Sequence, residues 1–233
     1  MKTGFRTAVI HVDILDDFIN GTLPVPFGIE VVEKANIITR DAKRKKKVVV
    51  FLADCHDRRN STHFKKWPVH CPREETGQNF HPDLTVPDGA FVVFKGTGMD
   101  DDGYSGFDKN NVEIYIVSHK KLIRLPYTCL EQLLDDLDVS VTEIDGLATD
   151  YCDKATAIDS VRLGYETRLV ADACRAINVN DKNDPRRLAP EIRDIMNYLA
   201  SKHMLITDEN IALEEMRRAG VIFTTTDEVL AQS

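Results

Sequence analysis

Cys152 lies in GLATDYCDKATAIDSVRLGY (146–165), where an apolar run gives way to a segment of helical spacing. Ala155, Ile158, Val161 and Arg162 recur at that spacing and Gly164 supplies a stop, which puts Cys152 in the first helical turn. Free N–H groups and a positive dipole end there lower a thiol's pKa and can hold an oxyanion, as acyl transfer requires. A lone cysteine at such a place is more often a small apolar residue capping a core helix. Lys95, ending AFVVFK (90–95), and Asp13, ending TAVIHVD (7–13), shift that balance. A lysine stabilises thiolate, and a carboxylate can take and return the proton. Taken singly, Lys95 also reads as a strand-end surface lysine, and Asp13 as a turn or cap residue.

A second set of residues suits a metal. In Asp54-Cys55-His56 the first and third side chains share one face of an extended chain, with Cys55 turned back to the core. His70, in WPVHC, follows in the next loop. Two histidines and a carboxylate form a divalent-metal set that leaves coordination positions open. Zinc is the first expectation, and iron and manganese also suit it. His63 is a further candidate ligand, whereas His81 in FHPDL reads as structural. A closed structural zinc from Cys55, His56, His70 and Cys71 is the rival, disfavoured because neighbours on an extended chain point opposite ways.

These residues need elements to bring them together. TAVIHVD, VVVFLAD (48–54), AFVVFK, VTEID (141–145), TRLVADA (167–173) and VIFTTT (221–226) read as strands, and VVEKANIITRDAK (31–43) as a helix. Near-continuous apolar strands separated by helices predict an α/β three-layer sandwich. Its sheet is mostly parallel, about six-stranded, with helices on both faces. Asp13, Asp54, Lys95 and 146–152 then gather at the carboxyl ends of strands, where such sheets carry their sites. NVEIYIV (111–117) and LIRL (122–125) predict a small hairpin within an insert near 108–127. Thr128 and Glu131 have capping-box spacing and would open a helix through Leu137. A second elaboration, 178–203, reads as a polar loop and a helix starting near Pro190. Without repeats or a linker, residues 1–233 are expected to form one domain.

Net charge is −8, which argues against a nucleic-acid or anionic-membrane role. KRKKK (43–47) reads as cations closing a helix, and DDD (100–102) as a solvated loop. No run approaches a membrane span, and the start, MKTGFRTAVIHVD, does not read as a signal peptide. Five widely spaced cysteines without a CxxC fit a reducing compartment, so a soluble, cytoplasmic protein is expected.

VDILDDFINGTLPVP, ADCHD, WPVHC, ETGQNFHPDL, VVFKG, YSGF, GLATDYCDKATAIDSVRLGY and VADACRA occur in that order. With these pieces the chain resembles the nicotinamidases (pyrazinamidases) of the isochorismatase-like hydrolase family. ATDYC and WPVHC together are highly specific. The resemblance implies hydrolysis of nicotinamide to nicotinate and ammonia in NAD salvage, through a thioester, by a triad of Cys152, Asp13 and Lys95. It implies a metal on Asp54, His56 and His70 that binds the substrate's pyridine nitrogen. It further implies a cis bond between Leu147 and Ala148, with an oxyanion hole from the N–H groups of Ala148 and Cys152. Phe18, Leu23, Trp67, Tyr104, Leu147 and Tyr151 are implied as substrate-binding positions, and a homo-oligomer as the assembly.

The chain departs from the family's pattern at Leu15-Asp16, at Cys55, in PREETG after WPVHC and in the length of both inserts. The departures bear on pocket shape and substrate range. Two other readings stay open: an amidohydrolase of another small amide, such as a carbamoyl or ureido compound, and a non-catalytic binding protein of the same fold. The metal set speaks against the first and the triad against the second.

Overall fold

The computed structural model describes residues 1–58, 62–99, 101–109 and 111–232. Eight strands form one sheet: β1 (Arg6–Val12), β2 (Val48–Asp54), β3 (Phe91–Lys95), β4 (Glu113–Ser118), β5 (Lys121–Arg124), β6 (Val139–Leu147), β7 (Glu166–Arg175) and β8 (Ile222–Thr224). Their order is β5-β4-β3-β2-β1-β6-β7-β8. The six from β3 to β8 in that order are parallel, and β4 and β5 are antiparallel additions beside β3. The expected six strands thus become eight, because the predicted hairpin joins the main sheet.

Period-two alternation sorts the strand residues into two cores. Val9, Phe51, Ala53 and Val92 face one side, beneath α1 (Asp16–Ile19), α2 (Ile29–Arg44) and the C-terminal helix Thr226–Ala231. Ala8, Ile10, Val12, Leu52 and Val93 face the other, covered by α3 (Leu130–Asp136), α4 (Lys154–Arg162) and the helix Asp208–Ala219. Helix α5 (Pro190–Ser201) starts where Pro190 predicts. It packs through Ile195 and Leu199 against Ile211 of the next helix, α6 (Asp208–Ala219). The last helix is α7 (Thr226–Ala231).

Several local expectations shift. Helix α3 begins one residue later than the capping-box spacing suggests, with Cys129 at its cap. Thr128 instead bonds Gln132 through its N–H and hydroxyl (3.2 Å each). The strand predicted through 226 stops at Thr224, because Thr225 and Glu228 form a capping box that opens α7. The basic run does more than complement the end of α2. Lys45 donates to the Val229 and Leu230 carbonyls of α7 (3.2 and 2.9 Å), and Lys47 pairs with the buried Glu143 (2.6 Å). Among the described residues no helix is long and apolar enough to cross a membrane.

The polar segment after β7 is tied down at several points. The Asp150 carboxylate accepts the N–H groups of Ile177 (3.0 Å) and Asn178 (2.8 Å). The side chains of Asn178 and Asn180 cap the start of α6 by accepting from Glu209 N–H (3.0 Å) and Asp208 N–H (2.9 Å).

Candidate active site

Strand order reverses at β1 and β6: the chain runs outward through β2 and β3, then returns to the other side of β1. A crevice opens beyond the strand ends at such a reversal. Asp13 follows β1, Asp54 ends β2, Lys95 ends β3, and Cys152 follows β6. Asp13 has a φ of 49°, in the left-handed region that few residues other than glycine enter. Its carboxylate accepts the Asp54 N–H (3.1 Å), and its own N–H donates to Leu52 (3.2 Å). The Leu147–Ala148 bond is cis, as the resemblance implied. Gly146, at φ 136°, lets β6 close on β1, where a Cβ would lie 2.1 Å from the Val12 carbonyl oxygen. Cys152 does not sit in the first turn of an α-helix. Thr149–Asp153 is a π-helical turn, its Ala148 carbonyl accepting from Tyr151 (3.0 Å) and Asp153 (3.2 Å), and α4 begins after it. Such turns recur at functional sites.

Lys95 is fully buried at the centre of the group. Its Nζ lies 2.8 Å from Asp13 Oδ2 and 3.4 Å from Cys152 Sγ, donates to the Gly103 carbonyl (2.7 Å), and pairs closely with Asp54. Burial works against the ammonium, but Asp13 and Asp54 outweigh it and hold its pKa well above the usual value. Burial, with the Asp54 charge, pushes the Asp13 carboxyl up to about 6 despite Lys95. Burial would raise Asp54 too, yet Lys95, His56 and His70 keep that carboxyl well below the ordinary range. The Cys152 thiol runs against the expectation of a lowered pKa. Burial pushes it well up, and Asp13 and Asp54 add to the rise while Lys95 opposes it. The sulfur therefore keeps its proton until a base takes it, and the Asp13 carboxylate lies within 4.8 Å.

Three imidazoles adjoin this group. Asp54 Oδ2 lies 3.7 Å from His56 Nε2 and 3.8 Å from His70 Nε2, and His63 Nε2 lies 3.4 Å from His70 Nε2. His70 Nδ1–H donates to the Pro68 carbonyl (2.7 Å) and His63 Nδ1–H to Asp102 (3.2 Å). Those bonds leave the facing Nε2 atoms as acceptors. Burial lowers His70, and burial with His56 nearby lowers His63 to about 4, so both rings stay neutral near pH 7. Both ring nitrogens of His56 are buried with no hydrogen-bond partner among the described residues. Buried lone pairs facing one another beside a carboxylate fit a divalent cation, so the donor set passes the chemical test for a metal. Gly96 and Gly103 (φ 70° and 66°) permit the loop to close here, since a Cβ on Gly96 would sit 2.5 Å from His56 Cε1. Cys55 and Cys71 join no such cluster among the described residues, which removes the observation a closed structural zinc needs. His81 bonds Asn20 (3.3 Å) and Asp83 N–H (3.3 Å) instead. Of the DDD loop, Asp100 lies outside the described residues. Asp102 is half-buried and pairs with Lys66 (2.7 Å) as well as His63, so it is not merely solvated.

Cys152, Asp54, His63 and His70 line one cleft with Phe18, Leu23, Trp67, Tyr104, Ala148 and Tyr151. Its space, mouth included, is about 350 Å³. Trp67 meets the Tyr151 ring edge-on at 4.9 Å and donates its indole N–H to the Tyr104 hydroxyl (2.8 Å). Leu147 differs from expectation: its side chain is fully buried in the core on the α2 side, off the cleft wall. Val25 and Ile177 line the wall without having been anticipated. Val25 lies inside the first quoted motif, beside Leu23, whereas Ile177 comes from the segment held by Asp150 and carries no local signal.

A second polar group lies behind the turn. His11 Nδ1–H donates to Asp145 (2.7 Å), and His11 Nε2 takes the Thr39 hydroxyl (2.8 Å), all buried. Asp153, next to Cys152 in the chain, is fully buried, and neither carboxyl oxygen has a hydrogen-bond partner among the described residues. Burial, then Asp145 and Asp13, push its carboxyl well up.

The description of the isochorismatase domain matches residues 7–186. Among solved structures, the pyrazinamidase of Pyrococcus horikoshii in complex with zinc has a TM-score of 0.70 at 30% identity, covering 95% of this chain and 99% of that one. A nicotinamidase of Escherichia coli strain K12 is 28% identical over 195 residues, 76% of this chain and 86% of its own. An N-carbamoylsarcosine amidase from Thermoplasma acidophilum shares the fold, with a TM-score of 0.64 at 21% identity over 96% of this chain and 98% of that one. With the family description spanning most of the chain and a relative matched almost end to end, this protein belongs to the isochorismatase-domain family.

Proposed function

We propose that the protein hydrolyses nicotinamide to nicotinate and ammonia through a thioester on Cys152. The observation that carries this reading is the buried contact of Cys152 Sγ with Lys95 Nζ (3.4 Å), itself 2.8 Å from Asp13, at the floor of an aromatic-walled cleft. Asp13 takes the thiol proton, and the lysine stabilises the sulfur anion as it forms. The sulfur attacks the amide carbon, and the oxyanion rests on the N–H groups of Ala148 and Cys152. Asp13 then protonates the departing nitrogen, and ammonia leaves. A water gives its proton to Asp13 and attacks the thioester carbon. The C–S bond breaks, Asp13 returns its proton to the sulfur, and the product acid gives its own proton to solvent and leaves as the carboxylate.

Asp54, His56 and His70, with His63 as a fourth ligand, would hold a divalent ion, zinc first. When bound, that ion supplies a Lewis acid at the end of the cleft to which an aromatic ring nitrogen can be held. Phe18, Trp67, Tyr104 and Tyr151 exclude water and press on a flat ring. The resemblance extends the proposal to one domain, a homo-oligomeric assembly, a cytoplasmic location and a place in NAD salvage.

Ammonia release from nicotinamide, measured beside a panel of carbamoyl and ureido compounds, tests the substrate. Cys152→Ala should abolish release while leaving metal content unchanged; surviving activity would remove Cys152 as nucleophile. Asp54→Ala should lose the ion and stay folded. Collapse of the fold with loss of the ion would favour a structural metal instead.

A further inference from the structure

We propose that Arg186 is a specificity-determining positioning residue, which holds Tyr151 as a partition between the substrate cleft and a second cleft beyond it. The inference rests on the reading of the first cleft as the amide-hydrolysing site. Arg186 sits in a short turn, Pro185–Leu188, capped by Asp184, whose carboxylate accepts the Arg186 N–H (2.8 Å) and Nε–H (2.7 Å). Its guanidinium lies over the Tyr151 ring at 5.1 Å and donates to the Tyr151 hydroxyl (3.0 Å). Ring face and hydroxyl are thus both held by one planar cation, a combination lysine cannot reproduce.

Tyr151 in turn meets Trp67, and Trp67 holds Tyr104, so the clamp acts on one whole wall of the cleft. The clamp has firm footing. Asp150 anchors one end of its segment through Ile177 and Asn178, and Arg187 pairs with Asp208 at the other. Beyond Tyr151 lies a cleft of about 730 Å³, mouth included, bordered by Lys154, Arg187, Ile192 and Asp208. Tyr151 lines both spaces. A ring freed from Arg186 can swing into the outer cleft, merging the two and loosening the slot beside Cys152.

Trp67 is the chain's one tryptophan, so its fluorescence reports on this wall alone. In Arg186→Ala, acrylamide should quench Trp67 more strongly than in the wild type. KM for nicotinamide should rise roughly tenfold with kcat little changed, the scale of one cation–ring contact plus one hydrogen bond. Activity on a bulkier ring-substituted nicotinamide should rise relative to nicotinamide. Arg186→Lys should restore part of the KM and none of the hydroxyl bond. Unchanged quenching and KM would overturn the proposal. So would a fall in kcat at unchanged KM, or a lower thermal midpoint without a quenching change. If the wild type releases no ammonia from nicotinamide, the proposed function fails. The quenching comparison still decides whether Arg186 holds the wall.

Discussion

Two groups of buried acids lie around the turn that carries Cys152. Asp13 and Asp54 face each other across Lys95. Asp145 and Asp153, on the strand and turn leading to and through Cys152, have no lysine or arginine pair among the described residues. Burial is complete or nearly so in both, and it presses Asp13, Asp54 and Asp153 toward the neutral form. The ammonium keeps Asp54 ionised and leaves Asp13 within reach of a proton near neutrality, whereas Asp153 is driven well up. What separates a reactive cluster from a mere cost of folding here is one cation.

Removing that cation should have the largest effect. Lys95→Met leaves two buried carboxyl groups facing each other without a counter-charge, and the thiol without a cation to stabilise its anion. Ammonia release should fall by roughly 10³ or more, and urea denaturation should show a loss of about 3–5 kcal/mol. Retained activity would mean that the compensated cluster is not where the chemistry occurs. Next is Asp102, an acid that meets its cation Lys66 while orienting His63. Asp102→Asn should weaken binding of a divalent ion by about 10–100-fold in a chelator competition.

The uncompensated side predicts a gain. Asp153→Val should stabilise the protein by about 1–3 kcal/mol near pH 7–8, read by urea denaturation. Its folded carboxyl holds the proton more tightly than the unfolded one. Its contribution is therefore least adverse at acid pH and worsens as pH climbs from the unfolded value toward the folded one. Asp153→Asn should abolish that pH dependence. A loss of stability in Asp153→Val would mean that the carboxyl has a compensating role. The smallest effect is expected at Thr39→Val, which deprives His11 of its hydroxyl partner. Denaturation should register about 1 kcal/mol and ammonia release none.

The compensated cluster is legible in the sequence and the other is not. Asp13, Asp54 and Lys95 each close an apolar run, and Cys152 begins the next element, so strand ends alone bring them near one another. Asp54 and His56 converge by simple alternation. His11 and Asp145 are single polar residues inside apolar strands, and their pairing depends on β1 and β6 lying side by side in register. The thiol's raised pKa has the same origin: desolvation belongs to the packed molecule, whereas the helical turn is visible in the chain. Arg186 reads as part of a polar loop, and its contact with Tyr151 spans 35 residues. Helix α6 is framed by Thr207 and Gly220, signals that a reading built on apolar strands passes over.

The hairpin changes the standing of Lys95. β4 covers the flank of β3 that would otherwise be the margin of the sheet, and β5 takes that place with Lys121 and Arg124 exposed. Margins fray first, and interior strands release their amide hydrogens only in deeper openings. The insert thus moves the anchor of the ammonium from the sheet's most transient border to a strand that persists nearly as long as the fold itself.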